Sequence, residues 1–579
     1  MMRKNLKLCS IISFIFIIGI FLLQTSCNSN SGKTLPELKS ENLTAHFDYF
    51  TYKGDDDFYK ENPLPGDDYY YNPILPGWYS DPSVGSNGED YYMVTSTFAY
   101  FPGVPIFHSK DLVNWKQVGH VLDRPEQLPL EGQRTSGGIF APAISYNPNN
   151  QTWYMITTNV GKGNFFVKTK DPQGSWSDPI WLPEVHGIDP SFFFDCDGKA
   201  YIVNNDEPDG GSTYQGHRAI RLIEFDVDND VTVGSSKMIV NGGVNLDEKP
   251  IWIEGPHLYK INGKYYLMCA EGGTSVDHRE VIFKSDTPTG PFKPAVMNPI
   301  LTQRQLPNDR PIPITCAGHA DLVQKNDGQW WSFFLACRPI DNKFENLGRE
   351  TFFMPVRWNE KGFPYMTKDD EVIPRMIQME GVKRDDSLKI FGNFELKDDF
   401  TSSALGMQWM NIHGDASALY SLSENAGYLS LKCAEVSSNE AIPSAFVCRR
   451  LQHHKFECET SLFLHSTSKS DKAGILLYKD ESHQYLLALQ ELTQDSSLLS
   501  VTRIGAEGAA VLSSRVITKS LNPVKLKVTS SGKAFSFQYA IDEEWNMLAS
   551  NIDAYYLSTA QSYGFTGTTI GLYASSKDY

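Results

Sequence analysis

The sequence predicts an all-β protein, and three observations support this class. Beyond about residue 70 the chain consists of short alternating or apolar runs separated by Gly, Asn, Asp and Pro, which is typical of strands and turns. No long stretch follows the helical period. One unit also recurs along residues 70–380: a strand start, a turn with Asn, Asp or Gly, and an aromatic strand. An internal repeat explains this pattern better than a series of unrelated strands.

Residues 1–27 are predicted to form an export signal. A basic start precedes an apolar core at residues 11–23, which is short for a membrane span, and Cys27 follows two small residues. This arrangement is similar to a bacterial lipoprotein signal, in which Cys27 would be lipidated; an ordinary signal peptide with a chance cysteine is the alternative. Residues 28–69 are predicted to be a tether and lead-in. We therefore expect an exported, membrane-anchored lipoprotein, either periplasmic or at the cell surface.

The length of the chain predicts how many domains it has, and its net charge excludes some classes of binding partner. A chain of 579 residues is too long for one core, so two or three domains are expected. The 69 acidic and 52 basic residues give a net charge of −17, which argues against nucleic acid and against an anionic membrane surface. Contact with a membrane is expected only through the N-terminal lipid. The cysteines beyond Cys27 are odd in number and lie mostly in apolar runs, which indicates core packing and not a disulfide framework.

The repeat predicts a five-bladed β-propeller over residues 70–380. Its five units begin at Asp81, Ala141, Asp189, Glu254 and Gly318. These starts lie 48 to 65 residues apart, which suits four-stranded blades with long loops. The inner strand of each blade starts near the central axis, so residues at equivalent repeat positions are expected to converge there.

Three of these repeat positions carry acids: Asp81, Asp189 and Glu254. Acids in turns are usually solvated caps, but Ala141 in the second unit indicates that the fold does not require an acid at this point. Hydrolysis of a glycosidic bond needs one carboxylic acid to protonate the leaving oxygen and a second carboxylate to activate water or to attack directly. A third carboxylate would raise the pKa of the acid by like-charge repulsion.

The motifs that carry these acids resemble glycoside hydrolase family 43, in its β-xylosidase and α-L-arabinofuranosidase branch. The matching segments are residues 78–83, 101–115, 187–191, 254–257, 318–321 and 345–351. The resemblance implies that Asp81 is the general base, that Glu254 is the general acid, and that Asp189 tunes and orients the acid. It also implies inversion at the anomeric centre.

The resemblance implies four further pocket residues. Arg338 would contact sugar hydroxyls or the acids, with a structural ion pair as the alternative. Phe98 and Phe140 would form aromatic walls, although aromatic side chains are also ordinary core residues. His319 would lie near the axis, at a position where some relatives bind calcium; a hydrogen-bonded core histidine is the alternative. No cofactor is expected to be required, and calcium is the one candidate.

Residues 394–579 show a second all-β pattern after a charged connector. Many short apolar or alternating runs predict a two-sheet sandwich. This part resembles the concanavalin A-like domain that follows the propeller in family 43 xylosidases. In that branch the domain packs on the propeller and lends a loop that closes the pocket.

The predicted function is that of an exo-acting β-1,4-xylosidase that cleaves xylo-oligosaccharides. An α-L-arabinofuranosidase acting on arabinoxylan or arabinan side chains is the close alternative, because both sugars present similar hydroxyls to one pocket. A fructan hydrolase would carry Asn-Asp-Pro-Asn at the first acid and Glu-Cys at the third, and residues 80–83 and 254–255 differ from both. A non-catalytic surface glycan-binding lipoprotein is the alternative from another class, and the three acids argue against it.

Overall fold

The computed structural model describes residues 44–579 with the exception of residues 308, 467 and 521. The predicted export signal, the lipidation residue Cys27 and residues 28–43 of the predicted tether and lead-in lie outside the described residues. Within the described part, no helix has the length and apolar character needed to cross a membrane.

Residues 83–355, called here the five-sheet region, form five consecutive antiparallel sheets. The first sheet contains Ser83–Ser86, Tyr91–Val94, Gly103–Ser109 and Lys116–Leu122, and the second contains Ile139–Asn147, Thr152–Asn159, Gly163–Thr169 and Ile180–Trp181. The third contains Ile188–Phe194, Ala200–Asp206, Ala219–Asp226 and Val231–Asn241, and the fourth contains Glu254–Ile261, Lys264–Glu271, Arg279–Ser285, Lys293–Pro294 and Leu301–Thr302. The fifth contains Thr315–Gln324, Trp330–Cys337 and Glu350–Pro355.

The inner strand of each sheet, which is the first in sequence, contacts the inner strand of the next sheet, and the fifth contacts the first. Hydrogen bonds to Asp321 join the inner strand of the fifth sheet to those of the first and fourth sheets. Ser83 Oγ donates to Asp321 Oδ2 at 2.8 Å, and Tyr259 Oη donates to Asp321 Oδ1 at 2.6 Å. Ser83 therefore joins neighbouring sheets, whereas Asp81, two residues earlier, lines the pocket described below.

A residue in the left-handed backbone region lies just before each inner strand or within its first half. The φ angles are 54° for Asp81, 36° for Ala141, 54° for Asp189, 55° for Gly255 and 52° for His319. Positive φ is uncommon for residues other than glycine, and such positions concentrate at functional sites. The equivalent of Asp81 in the fourth sheet is therefore Gly255. The prediction that Glu254 shares the repeat position of the other acids is wrong by one residue.

Apolar side chains fill the space between neighbouring sheets. Tyr92 of the first sheet packs edge-on against Trp153 of the second, with ring centroids 4.9 Å apart, and Phe166 of the second packs against Phe225 of the third at 5.5 Å. The aromatic strands seen in the repeat thus bury their rings between sheets. This packing fixes each inner strand relative to its neighbours.

The C-terminal part forms two further antiparallel sheets around a shared apolar core. One sheet has eight strands: Tyr420–Ser421, Leu429–Leu431, Ala45–Gly54, Lys455–Leu464, Val524–Ser531, Ala534–Ile541 and Glu544–Asp553 in spatial order, with Glu395–Asp398 paired to Ala45–Gly54. The other has six: Phe446–Arg450, Thr569–Ser575, Lys472–Asp480, His483–Glu491, Ser496–Gly505 and Gly508–Thr518. The predicted sandwich is present.

The strand Ala45–Gly54 corrects the predicted domain boundaries. It lies between Leu429–Leu431 and Lys455–Leu464 in the eight-stranded sheet, although residues 28–69 were expected to be only a tether and lead-in, and residues 394–579 to be the whole sandwich. Its buried side chains include Phe47 and Phe50, which belong to the sandwich core. Those rings would be exposed to water if the segment were a free linker.

The remaining elements are short. Three pairs of strands join parts of the chain: Tyr69–Tyr71 with Met376–Gln378, Arg357–Trp358 with Pro364–Tyr365, and Tyr100–Phe101 with Asn411–Ile412. The described α-helices are Asp57–Glu61 and Thr559–Ser562, and the 3-10 helices are Pro125–Gln127, Leu246–Glu248, Asp386–Leu388, Ser417–Leu419 and Tyr555–Leu557. The pair formed by Tyr100–Phe101 and Asn411–Ile412 connects the five-sheet region to the sandwich.

Candidate active site

A pocket of about 690 Å³ opens at the starts of the inner strands, a size within the range of small-molecule sites. Asp81, Asp189 and Glu254 line it and are 5%, 6% and 7% exposed. The predicted residues Phe98, Phe140 and His319 also line it, together with Ala141, Gly187, Ile188, Asn205, Asp206, Glu207, Arg218, Trp252, Gly273, Thr274, Ser275, Arg349 and Phe565. The structure thus brings together the three acids that the repeat singled out.

Asp81 is surrounded by groups that stabilise its charge. Arg349 Nη1 lies 3.1 Å from Asp81 Oδ1, and Ser96 Oγ donates to Asp81 Oδ2 at 2.6 Å. Burial by itself would raise the pKa of Asp81, but the charge of Arg349, with His319 and the Ser96 hydrogen bond, outweighs it and holds that pKa below its ordinary value. Asp81 is therefore ionised near neutral pH and can accept a proton.

Asp189 and Glu254 are shifted in the opposite direction. Burial, and then the negative charge of Asp81, raise the pKa of Asp189 to about 7. Burial raises the pKa of Glu254 well above its ordinary value, and the neighbouring charge of Asp189 adds to this effect. The Gly255 N–H donates to Asp189 Oδ2 at 3.2 Å, so Asp189 is tied to the residue that follows Glu254. Glu254 is accordingly held protonated and can donate a proton.

Three phenylalanines form one wall of the pocket. The ring centroid of Phe98 lies 5.6 Å from that of Phe140, and Phe565 lies 5.4 Å from Phe140. Phe565 comes from the sandwich, between its last short helix and its last strand, so that domain completes the wall. The guanidinium of Arg349 lies 5.2 Å from the Phe565 ring centroid. Aromatic faces of this kind pack against the apolar C–H faces of sugar rings.

His319 lies beside the acids, with Nδ1 3.8 Å from Asp81 Oδ1. Burial lowers the pKa of His319 to about 4, so its imidazole is neutral near pH 7. Below it is a cavity of only about 10 Å³ that is also lined by Asp81 and His257, which is roughly the room for one water. Ca²⁺ prefers six to eight oxygen ligands, and the carboxylates that line this cavity, Asp81 and Asp189, supply only part of that set. Calcium at His319 stays a prediction, and no catalytic step is assigned to it.

One group of described side chains has metal-ligand spacing, and it lies outside the pocket lining. Cys316, Cys337 and Glu345 place their ligand atoms within 4.8 Å of one another. A hydrogen bond with Cys316, and then burial, raise the pKa of Cys337 well above its ordinary value, and burial raises the pKa of Glu345. A thiol must lose its proton to bind a metal, so these surroundings do not favour a metal at this group.

Arg338 does not line the pocket, which corrects the sugar-binding role expected for it. Its Nε donates to Glu350 Oε2 at 2.7 Å, and its Nη1 lies 3.6 Å from Asp56 Oδ2. Arg338 and Glu350 are almost fully buried, so the charge at the end of this strand is neutralised by a structural ion pair. The arginine that pairs with Asp81 in the pocket is Arg349, which sequence reasoning missed although it lies within the matching segment 345–351.

Sequence reasoning also missed a second group of residues in the pocket lining. Trp252 is 36% exposed, and the Arg218 guanidinium carbon lies 4.6 Å from the centroid of its ring. Arg218 in turn forms an ion pair with Glu207. Trp252 stands two residues before Glu254, and that spacing was the signal that could have identified it.

Acid–base hydrolysis of a sugar bond requires an ionised and a protonated carboxyl group that face one pocket. The environments of Asp81 and Glu254 meet this requirement. An all-β scaffold with such a pocket belongs to the carbohydrate-hydrolysing class of enzymes.

Comparison with known families makes this class specific. Residues 70–364 match the model of glycosyl hydrolases family 43, and residues 397–579 match that of the beta xylosidase C-terminal concanavalin A-like domain. The chain belongs to glycosyl hydrolases family 43.

Two characterised relatives match over most of their length. A non-reducing end alpha-L-arabinofuranosidase of Bacteroides ovatus is 35% identical over 87% of this chain and 91% of its own. A xylosidase/arabinosidase of Butyrivibrio fibrisolvens is 38% identical over 87% of this chain and 95% of its own.

Solved structures agree. A GH43_12 protein retrieved from a capybara gut metagenome superposes with a TM-score of 0.86 at 40% identity, covering 92% of this chain and all of its own. A xylan beta-1,4-xylosidase from Bacillus halodurans C-125 superposes with a TM-score of 0.77 at 31% identity, covering 87% of this chain and 96% of its own.

Proposed function

We propose that the protein is an exo-acting β-1,4-xylosidase that cleaves xylo-oligosaccharides with inversion at the anomeric carbon. The observation that carries this proposal is the opposite perturbation of two acids in one pocket. Arg349 keeps Asp81 ionised, whereas burial keeps Glu254 protonated. A general base and a general acid are thereby assigned by their surroundings.

In the proposed reaction a water molecule lies between Asp81 and the anomeric carbon. Asp81 takes a proton from the water while the water oxygen bonds to the anomeric carbon. Glu254 gives its proton to the leaving glycosidic oxygen while the bond between that oxygen and the anomeric carbon breaks. Asp189, through its hydrogen bond to the Gly255 N–H and its charge, orients Glu254 and raises its pKa. An inverting enzyme needs roughly 6.5 to 9.5 Å between the two carboxyl groups to admit the water.

The architecture that we propose for the five-sheet region is a five-bladed propeller. The contacts between successive inner strands, and the contact of the fifth inner strand with the first, support it. In such a propeller the left-handed residues near the starts of the inner strands converge at one end of the axis. The shared pocket position of Asp81, Asp189 and His319 follows from that convergence.

An α-L-arabinofuranosidase is the second candidate. One similar relative is named for that activity and another for both activities. Xylose and arabinofuranose present similar hydroxyl groups, so a few contacts in the pocket can change the preference.

We also propose that the protein is exported and anchored through a lipid on Cys27, because the first 27 residues have the basic, apolar and small-residue segments of such a signal. Labelling cells with a radioactive fatty acid tests this. The full-length protein should take up label, and Cys27→Ala should not. Label on the variant would contradict the assignment.

The activity test uses protein that begins at residue 28. It should release xylose from an aryl β-xyloside and from xylobiose, and Glu254→Gln should lose most of this activity while its circular dichroism spectrum is unchanged. The exposed neighbour Glu248 provides the matched control, since Glu248→Gln should keep full activity. NMR of the first-formed sugar should show inverted configuration.

Two results would overturn parts of the proposal. Wild-type protein that is inert on xylosides and arabinofuranosides but binds glycans would indicate the binding-protein alternative. A retained anomer would contradict the role of Asp81 as general base.

A further inference from the structure

The aromatic side chains that line the pocket form two groups, and contacts or sequence position link each group to a different acid. The phenylalanine wall contacts Arg349, and the positive charge of Arg349 stabilises the ionised form of Asp81. Trp252 lies at the pocket surface two residues before Glu254. Under the proposed function Glu254 protonates the leaving oxygen, so the sugar that departs is on the Glu254 side.

The backbone holds Trp252 in one unusual conformation. Its φ angle is 51°, which is strained for a large aromatic residue. The Trp252 N–H donates to Gly216 O at 2.8 Å, and the Gly272 N–H donates to Ile251 O at 2.9 Å. Two neighbouring segments thus fix the loop that carries the indole.

The side chain is also supported by a charged neighbour. The Arg218 guanidinium packs over the indole at 4.6 Å from its centroid and is paired with Glu207, which accepts a hydrogen bond from Ser212 Oγ at 2.6 Å. A cation over an aromatic ring stabilises the ring's position. Trp252 nevertheless remains 36% exposed, although large apolar side chains gain stability from burial. An exposed indole held in place in this way is suited to meet a ligand.

The charges around the indole indicate which ligand fits. The charge of Glu207 offsets that of Arg218, and the adjacent residue Asp206 adds a further carboxylate to the pocket lining. A sugar with a carboxylate would meet an acidic surface there, whereas a neutral sugar ring can stack on the indole without an electrostatic cost.

We infer that Trp252, positioned by Arg218 and Glu207, is the binding platform for the neutral sugar on the leaving-group side of the scissile bond. This inference rests on the proposed function, because that function assigns the leaving group to the Glu254 side. The platform would select oligosaccharides over substrates with a minimal leaving group. It would not take part in the bond-breaking step.

The test compares two substrates that share the same cleaved sugar. Xylobiose places a second sugar on the leaving-group side, whereas β-xylosyl fluoride places a single atom there. Trp252→Ala should lower kcat/KM for xylobiose about tenfold, mainly through KM, and leave kcat/KM for the fluoride within about twofold of wild type. Trp252→Phe keeps an aromatic ring and should recover most of the xylobiose activity.

The matched control is Trp181, another tryptophan with 39% exposure, which lies in the last strand of the second sheet and does not line the pocket. Trp181→Ala should leave both substrates unaffected. Trp252→Leu serves as a second variant if Trp252→Ala does not fold. Fluoride turnover reports whether Asp81 and the site of the cleaved sugar are intact, because fluoride leaves without protonation by Glu254.

Equal losses on both substrates, or no loss on either in a folded variant, would overturn the inference while leaving the proposed function in place. Wild-type protein inert on both substrates and on their arabinofuranosyl counterparts would overturn the proposed function, and this inference with it. If arabinofuranosides are preferred, the same comparison is made with arabinofuranosyl fluoride and an arabinofuranosyl-xylose.

Discussion

Arg349 and Asp81 are 268 residues apart in sequence, yet their side chains form an ion pair with 3.1 Å between Nη1 and Oδ1. Asp81 precedes the inner strand of the first sheet, and Arg349 precedes the last strand of the fifth. The meeting of the first and fifth sheets therefore sets the charge of the proposed base. The ionisation of Asp81 depends on this contact, because burial alone would favour the protonated form.

Replacing Arg349 should shift the pH dependence of activity. Without the guanidinium the pKa of Asp81 rises, so Arg349→Met should move the acidic limb of the kcat/KM profile to higher pH by about one to two units, in addition to lowering its maximum. Arg349→Lys keeps a positive charge and should move the limb less. The profile is measured with an aryl β-xyloside. An acidic limb that stays in place in Arg349→Met would show that Asp81 is not the titrating base.

Replacing Asp189 should shift the alkaline limb of the kcat/KM profile. Its negative charge raises the pKa of Glu254, and Glu254 must be protonated to act. Asp189→Asn keeps an oxygen that can accept from the Gly255 N–H but removes the charge. The pKa of Glu254 should fall, so the alkaline limb of the profile should move to lower pH. Asp197→Asn, at an exposed position in the same sheet, should leave the profile unchanged; an unchanged profile in both variants would contradict the tuning role.

The Arg338 pair should matter for stability rather than for sugar binding. Arg338→Met leaves Glu350 buried and without its partner, which should lower the free energy of unfolding by about 3–5 kcal/mol. Arg357→Met breaks an exposed pair with Glu371 and should cost no more than about 1 kcal/mol. Urea unfolding measures both changes. A large increase in KM for Arg338→Met without loss of stability would restore the sugar-contact role.

Removing the strand Ala45–Gly54 should destabilise the C-terminal sandwich. A chain that starts at residue 55 lacks Phe47 and Phe50 from the sandwich core and leaves strands on both sides without their partner. We expect little soluble protein and a lower midpoint of thermal unfolding. A chain that starts at residue 44 keeps every described strand and serves as the control. Equal midpoints for the two chains would show that the strand is dispensable.

The local sequence was sufficient to predict the elements that repeat and two of the acids that they carry. Asp81 and Asp189 could be identified because each stands at the start of an inner strand, where Ala141 shows that no acid is required. Glu254 was also identified, but its offset from the repeat position could not be inferred. Glycine at the true equivalent, Gly255, lets the backbone adopt positive φ and so permits the acid to stand one residue earlier.

Contacts between distant segments could not be predicted in the same way. Arg338 and Arg349 both lie near the fifth sheet, and only the loop between its last two strands decides which of them faces the pocket. The strand Ala45–Gly54 has suitable apolar residues, but its partners lie nearly 400 residues later. Trp252 stands two residues before Glu254, but its backbone angle and its contact with Arg218 leave no pattern in sequence.

The place of Ala45–Gly54 in the eight-stranded sheet has a consequence for synthesis of the protein. This strand is made before the five-sheet region, while its partners Leu429–Leu431 and Lys455–Leu464 are made after it. At about 5–20 residues per second, an apolar strand must wait about 20 to 80 s for its neighbours. The interval gives a chaperone or a secretion factor a defined period in which to hold the nascent chain, and it leaves the earliest described strand without its partners while the five-sheet region is made.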